Sequence, residues 1–205
     1  MWLERIKTVF ASSGMNEMEN EMEEKVECLE APYWQGGKML ILVVSDNHGK
    51  IGELQDLLER VKPDLLFHLG DSEIGLEALR YLAGCPVVAV PGNCDSVLRY
   101  KGATDRSRTV QLTEHLRAFL THGNLYHVNY GTSVIAEAAR KEGCNLVLFG
   151  HTHVPLLEYQ EDLVLLNPGS LNCPRQGDGR GTYALIEIDQ NGTPHYTSCK
   201  YKRLG

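Results

Sequence analysis

The run Leu40-Ile41-Leu42-Val43-Val44 is apolar at every position and ends abruptly at Ser45-Asp46-Asn47-His48-Gly49. A short run that is apolar on both faces predicts a central strand covered on both sides. Behind it, Ile51, Leu54, Leu57, Leu58 and Val61 recur at helical spacing and Pro63 closes the pattern, which predicts an amphipathic helix. The alternation then repeats. Leu65 to Leu69 reads as a second strand ending at Gly70-Asp71, and Leu76, Leu79, Arg80 and Leu82 as a second helix. Val87 to Val90 reads as a third strand, ending at Pro91-Gly92-Asn93-Cys94-Asp95.

The second half has a different texture. Thr109 to Leu112 and Leu116 to Thr121 predict neighbouring strands, the latter ending at His122-Gly123. Ser133 to Lys141 predicts a helix, and Leu146 to Phe149 a strand running into Gly150-His151-Thr152-His153. Closely spaced strand signals follow at Val154 to Tyr159, Leu163 to Asn167, Thr182 to Ile188 and His195 to Tyr201, with a turn at Gln190-Asn191-Gly192. Short connections imply antiparallel pairing. A βαβ half followed by a meander predicts an α+β domain in which two mixed sheets pack face to face with helices outside.

Residues 1 to 38 stand apart. Trp2, Leu3, Ile6, Val9 and Phe10 fall at helical spacing, Glu17 to Glu30 is acidic and Met-rich, and Pro32 to Lys38 is a Gly- and Pro-containing link. This reads as a poorly ordered and dispensable N-terminal extension, with the domain occupying residues 39 to 205.

Composition narrows the class. With 205 residues and 42% hydrophobic content, the chain is long enough for one sizeable core. A net charge of -7 without a dense Lys/Arg cluster argues against a broad nucleic-acid footprint, but allows a small phosphate ester held by metal. Six cysteines are scattered without a C-x-x-C pair and no signal peptide precedes them, which reads as reduced thiols in a cytoplasmic protein. No apolar run approaches the ~20 residues that span a bilayer. Homo-oligomerisation stays open.

The candidate chemistry falls at the ends of the predicted strands. Asp46, His48, Asp71, Asn93, His122, His151 and His153 all sit there, where open α/β sheets bind their ligands. Seven N and O donors are too many for one ion. They suit two divalent ions sharing a bridging carboxylate, with positions left for water and substrate. A structural zinc site would instead be closed and typically cysteine-rich.

Each piece alone is commonplace, but the ordered set is specific. Asp46-Asn47-His48, Gly70-Asp71, Gly92-Asn93-Cys94-Asp95, His122-Gly123 and Gly150-His151-Thr152-His153 resemble the D-x-H, G-D, G-N-x-D, H-G, G-H-x-H pattern of the calcineurin-like metallophosphoesterase superfamily. Asn167-Pro168-Gly169-Ser170, followed by Pro174-Arg175, is similar to its small stand-alone bacterial and archaeal phosphodiesterase branch. The resemblance covers residues 39 to about 200 and implies a four-layer αββα sandwich. It implies that Asp46, His48 and His153 hold one ion, that Asn93, His122 and His151 hold the other, and that Asp71 bridges them. The implied ions are manganese first, with nickel, zinc or iron as alternatives. The implied nucleophile is a hydroxide shared by the two ions, acting on a phosphodiester, and Asn93 and Arg175 are candidate substrate contacts.

Two departures from the pattern bear on substrate choice. Many relatives have a histidine where this chain has Cys94, and that histidine helps the leaving oxygen depart. Many also have a second histidine where this chain has Asn124. The remaining histidines, His68, His115, His127 and His195, fall outside the pattern and read as structural. Cys94 and Arg99 lie one residue too close together for a cysteine phosphatase. No P-loop or G-x-S-x-G motif occurs. The alternative is a catalytically weak scaffold that keeps the fold to bind proteins, a route that loss of ligands would mark.

Overall fold

A computed structural model describes residues 33–96, Tyr100 and residues 106–202. The amphipathic pattern from Trp2 to Phe10, the acidic tract and Arg99 lie outside the described residues. The elements are β1 (Met39–Val44), α1 (Ile51–Val61), β2 (Leu65–His68), α2 (Leu76–Ala83), β3 (Val87–Ala89), β4 (Ser107–Gln111) and β5 (Arg117–Thr121). They continue with α3 (Ser133–Lys141), β6 (Leu146–Leu148), β7 (Pro155–Tyr159), β8 (Val164–Pro168), β9 (Thr182–Ile188) and β10 (Pro194–Lys200).

Two mixed sheets result, in the orders β10-β9-β1-β2-β3 and β4-β5-β6-β8-β7. Strand alternation sorts the apolar residues into three layers of packing. Ile41, Val43, Leu65 and Phe67 face inward and meet Val110, Ala118, Leu120, Leu146, Leu148 and Leu166 of the other sheet. Leu42, Val44 and Leu66 face outward and are covered by Leu54, Leu57 and Leu58 of α1 and by Leu76 and Leu79 of α2. Phe119, Val147 and Leu165 face outward on the second sheet, under Ile135, Ala136 and Ala139 of α3. The chain is therefore an α+β sandwich with helices outside both sheets. Truncating any fully buried leucine here to alanine costs about 2–5 kcal/mol.

The closing strands do not form one meander. β7 and β8 complete the second sheet, where β8 runs parallel to β6 with Val164 opposite Leu146. β9 and β10 return to the first sheet, where β9 runs antiparallel to β1 with Leu185 opposite Leu42. The alternation of β9, with Ala184, Ile186 and Ile188 fully buried, commits it to the inter-sheet core. Segment 169–181 therefore crosses from one sheet to the other.

Packing begins before Met39. The backbone N–H of Tyr33 donates to Gln111 O at 3.1 Å and that of Trp34 to Leu112 O at 2.9 Å. Both rings lie against the inter-sheet core. The segment pairs with the C-terminal end of β4, an edge strand of the second sheet. No helix among the described residues is long and apolar enough to cross a membrane.

Candidate metal centre

The loops leaving β1, β2, β3, β5 and β6 converge at one end of the sandwich. Hydrogen bonding continues past the strand ends: Asp46 N donates to Gly70 O, His48 N to Asp71 O and Gly49 N to Ser72 O, each at 3.0 Å. Gly150 N likewise donates to His122 O at 3.0 Å. Adjacent parallel loops are thus held in register, and their side chains share one space.

The backbone is strained to achieve this. Asp46, His48, Asp71, His151 and His153 all have left-handed φ, between 45° and 68°. Such residues cost of order 1 kcal/mol or more and persist where the surrounding contacts over-determine them. Two glycines permit the close approach. A Cβ on Gly92 would lie 2.0 Å from Asp71 Oδ1, and one on Gly150 would lie 2.0 Å from Ser45 Oγ and 2.9 Å from Asp46 Oδ2.

The hydrogen bonds fix which imidazole nitrogens face inward. His48 Nδ1 lies 2.7 Å from Glu73 Oε1, His153 Nδ1 2.7 Å from Cys173 O, and His122 Nδ1 2.7 Å from Leu69 O. Each partner is an acceptor, so each Nδ1 carries the proton and each Nε2 of the neutral ring presents a lone pair. Those lone pairs point at other acceptors. His153 Nε2 is 3.1 Å from Asp46 Oδ1 and 3.4 Å from His48 Nε2. His122 Nε2 is 3.2 Å from Asn93 Oδ1 and 3.4 Å from Asp71 Oδ2.

Asp46 Oδ1 is buried without a hydrogen-bond partner, a costly state for a carboxylate oxygen. Acceptor atoms that converge with no donor between them fit divalent cations, and the donor set of imidazole, carboxylate and amide oxygen suits first-row metals. Among the described residues, three groups of ligand atoms are close enough to share an ion, and the first two are Asp46 with His48 and His153, and Asp46 with Asp71 and His122. Asp71 also lies with His48 and Cys94 in a third such group, which puts it between the two sides.

Charge follows the same geometry. Burial opposes ionisation of Asp71, but the hydrogen bond and charge of His122 and the N–H of Cys94 hold its carboxyl well below the usual range. Burial opposes ionisation of Asp46 too, and His153 and His122 overcome it. His153 is raised by its contact with Asp46, whereas His122 is raised by Asp71 and Asp46 against the opposing effect of burial. A cation is thus favoured at both places, proton or metal. His151 is lowered, by burial first and then by His122. Its Nε2 meets the Asn129 amide at 3.0 Å, and its ring stands 5.1 Å from that of His122.

Asp46, His48, Asp71, His122 and His153 thus fall in groups that could hold an ion, Asn93 joins them through His122, and His151 stands beside the His122 ring in none of those groups. Cys94 lies among them, and partial burial together with Asp71 pushes its thiol up to about 11. Arg175 is exposed, its N–H donates to His153 O at 3.1 Å, and its guanidinium is near enough to lower His151 and His153. Asn124 opens the short 3-10 turn Asn124–Tyr126 beside His122.

The sequence reading missed supporting residues. Glu73 and Asn129 carry no motif signal, although Glu73 falls two residues after Asp71. His68, read as structural, is fully buried: Nε2 donates to Asn47 Oδ1 at 2.8 Å and Nδ1 accepts from Gly70 N at 3.3 Å. It ties the Asp46–His48 loop to the Gly70–Asp71 loop. His195 is exposed and faces Asp189. A cleft of about 340 Å³ walled by Thr113, His115, Asn145, Asp162 and Tyr196 contains none of the seven candidates.

The calcineurin-like phosphoesterase superfamily domain matches residues 39–191. A probable metallophosphoesterase of Bacillus subtilis, YsnB, is 34% identical over 156 residues, covering 75% of this chain and 86% of the relative. The phosphodiesterase YfcE of Escherichia coli is 33% identical over 107 residues, covering 50% of this chain and 53% of its own length. The crystal structure of a predicted phosphoesterase from Streptococcus pneumoniae superposes with a TM-score of 0.65 at 26% identity, covering 80% of this chain and 99% of that one.

Proposed function

The chain belongs to the calcineurin-like phosphoesterase superfamily and is a hydrolase of phosphate ester bonds, and from that premise we propose a cytoplasmic phosphodiesterase that works with two divalent metal ions. Asp46, His48 and His153 would hold one ion, Asn93, His122 and His151 the other, and Asp71 would serve both. When bound, the ions would acidify a water towards neutrality and offset charge on the phosphoryl oxygens. Manganese leads the proposal, with nickel, zinc or iron as alternatives, because the donors are nitrogen and oxygen. The observation that carries the reading is the convergence of Asp46 Oδ1 and the Nε2 atoms of His48 and His153, with the Nδ1 of each ring committed to an acceptor elsewhere.

The chain's own residues supply positioning and charge. Glu73, Cys173 O and Leu69 O fix the imidazole tautomers, as supporting shells do in metal sites. Arg175 is a fork donor able to donate to two oxygens of a phosphate. A diester carries one negative charge and a monoester up to two, so a single guanidinium matches the diester better. The relative YfcE is named a phosphodiesterase. A neutral Cys94 thiol, held up at about 11, is a weak proton donor at neutral pH. Substrates whose leaving group departs without a proton are therefore favoured. The scaffold alternative predicts lost ligands, and none of the seven is lost.

The test is a screen of purified protein against nitrophenyl diesters, phosphomonoesters and cyclic nucleotides with added Mn²⁺, Ni²⁺ or Zn²⁺. Diester turnover that exceeds monoester turnover and is abolished by chelator is the expected result. Equal rates with and without chelator would overturn it.

A further inference from the structure

Asp95 lies two residues after Asn93 and is buried, and its hydrogen bonds go to backbone N–H groups and Ser72. Its Oδ2 accepts the N–H of Gly92 at 2.8 Å and that of Ser72 at 3.4 Å. Its Oδ1 accepts the N–H of Glu73 at 2.7 Å and the hydroxyl of Ser72 at 3.4 Å. The Ser72 hydroxyl also pairs with the phenol of Tyr100 at 2.7 Å, and Tyr100 is fully buried. Both carboxylate oxygens are therefore engaged by the turn of Asp95 itself and by the loop that follows Asp71.

Asn93 has no comparable anchor. Its residue is exposed, its Nδ2 reaches Cys94 Sγ at 3.2 Å, and its Oδ1 faces His122 Nε2. The ring of His122, by contrast, is buried and pinned to Leu69 O. The Asn93 oxygen reaches the site because the turn that carries it is fixed to the Asp71 loop. That attachment consists of the Cys94 N–H to Asp71 Oδ1 bond at 2.8 Å and the Asp95 bonds.

We propose that Asp95 is a positioning residue that clasps the turn carrying Asn93 onto the Asp71–Glu73 loop, and so sets the affinity of the ion assigned to Asn93, His122 and His151. The proposal rests on the two-ion reading. Asp95 is not a free carboxylate waiting to orient a side chain at position 94. Replacing it with asparagine keeps the shape but turns an NH₂ group towards N–H donors that need an acceptor, and hydrogen bonds to a charged group are the stronger kind.

The experiment titrates Mn²⁺ into metal-free full-length protein by calorimetry and follows the spin-coupled Mn–Mn signal by electron paramagnetic resonance. Wild type takes up two ions and shows the coupled signal. D95N keeps the affinity of the first ion within about threefold, and weakens the second by tenfold or more, because Asp95 reaches the Asp46, His48 and His153 side only indirectly, through the backbone of Glu73, whose side chain holds His48. The coupled signal then disappears at Mn²⁺ levels that saturate wild type. D162N, which removes an exposed carboxylate paired with Arg140, binds as wild type. Should D95N fail to fold, S72A removes one of the four donors and lowers the affinity of the second ion relative to that of the first by about threefold. Two ions bound equally by D95N or S72A and wild type would overturn the role of Asp95. Uptake of one ion or none by wild type would overturn the two-ion reading itself.

Discussion

The Nε2 atoms of His48 and His153 stand 3.4 Å apart, with the Nδ1 of each ring committed to an acceptor elsewhere. Two imidazole lone pairs facing one another beside Asp46 Oδ1 are mutually repulsive unless a cation lies between them. Asp46 raises His153 from 6.5, and Asp71 and Asp46 raise His122 against the opposing effect of burial, so both places favour a cation, which is a proton in the metal-free protein.

Metal-free stability should therefore peak near pH 6.5. A raised histidine contributes stability that is fully present below its unfolded value of 6.5 and is lost as pH climbs through the higher folded value. His122 and His153 produce that loss on the alkaline side. His68, lowered by burial to about 4, and His151, also lowered, contribute stability that is present above 6.5 and lost as pH falls. For His68 the loss develops between 6.5 and about 4 and amounts to about 3 kcal/mol. Thermal melts of chelator-treated protein from pH 5 to 9 check this, and added Mn²⁺ should remove the alkaline decline. A metal-free melting temperature that climbs from pH 6.5 to 8.5 would contradict the assignment of lone pairs.

His68→Gln should be costly although His68 lies outside the motif. The ring joins the two loops that present Asp46, His48 and Asp71, and glutamine cannot both donate to Asn47 Oδ1 and accept from Gly70 N in the same place. A loss of about 2 kcal/mol in stability and roughly tenfold in kcat is expected by denaturant melt and diester assay. His195→Gln, at an exposed position, should change neither.

The sequence made the two-sheet, three-helix architecture of the described residues legible because its central strands are short continuous apolar runs and its helices carry a 3.6 period. Ile41 and Val43 alternating with Leu42 and Val44 were enough to require cover on both faces. The seven candidate ligands were legible because they recur as short motifs at strand ends. What stayed hidden depends on long-range register. Nothing local tells that β9 leaves the second sheet to pair with β1, that Glu73 turns back to His48, or that Asn129 meets His151. His68 looked structural because a lone histidine in a strand says nothing about which loops it joins.

Tyr33 and Trp34 fall in the stretch whose sequence predicts a dispensable extension, but their backbone N–H groups bond to Gln111 and Leu112. A chain beginning at Met39 should be less stable than one beginning at Pro32, by about 1–3 kcal/mol. Denaturant melts of the two truncated chains decide it, and equal midpoints would mean that the β4 edge needs no cover.

Cys94→His should accelerate poor leaving groups selectively, since a neutral imidazolium-forming side chain replaces a thiol held at about 11. Placed proton donors contribute ~10² to 10⁴-fold. The gain should fall at the low end of that range, because Asp95 spends both oxygens on backbone and Ser72 and cannot orient the new ring. The measurement is the slope of log kcat against leaving-group pKa for aryl diesters. An unchanged slope would show that position 94 does not reach the departing oxygen.

The central claim is that Asp71 serves two ions whose joint presence is required for turnover. The direct measurement is metal content and nitrophenyl diester hydrolysis of wild type and Asp71→Asn, side by side in saturating Mn²⁺. The account predicts two ions per chain and chelator-sensitive turnover for wild type. It predicts at most one tightly held ion and a loss in kcat on the order of 10³-fold or more for the variant. Asp71→Asn protein that binds two ions and turns over at the wild-type rate would contradict it.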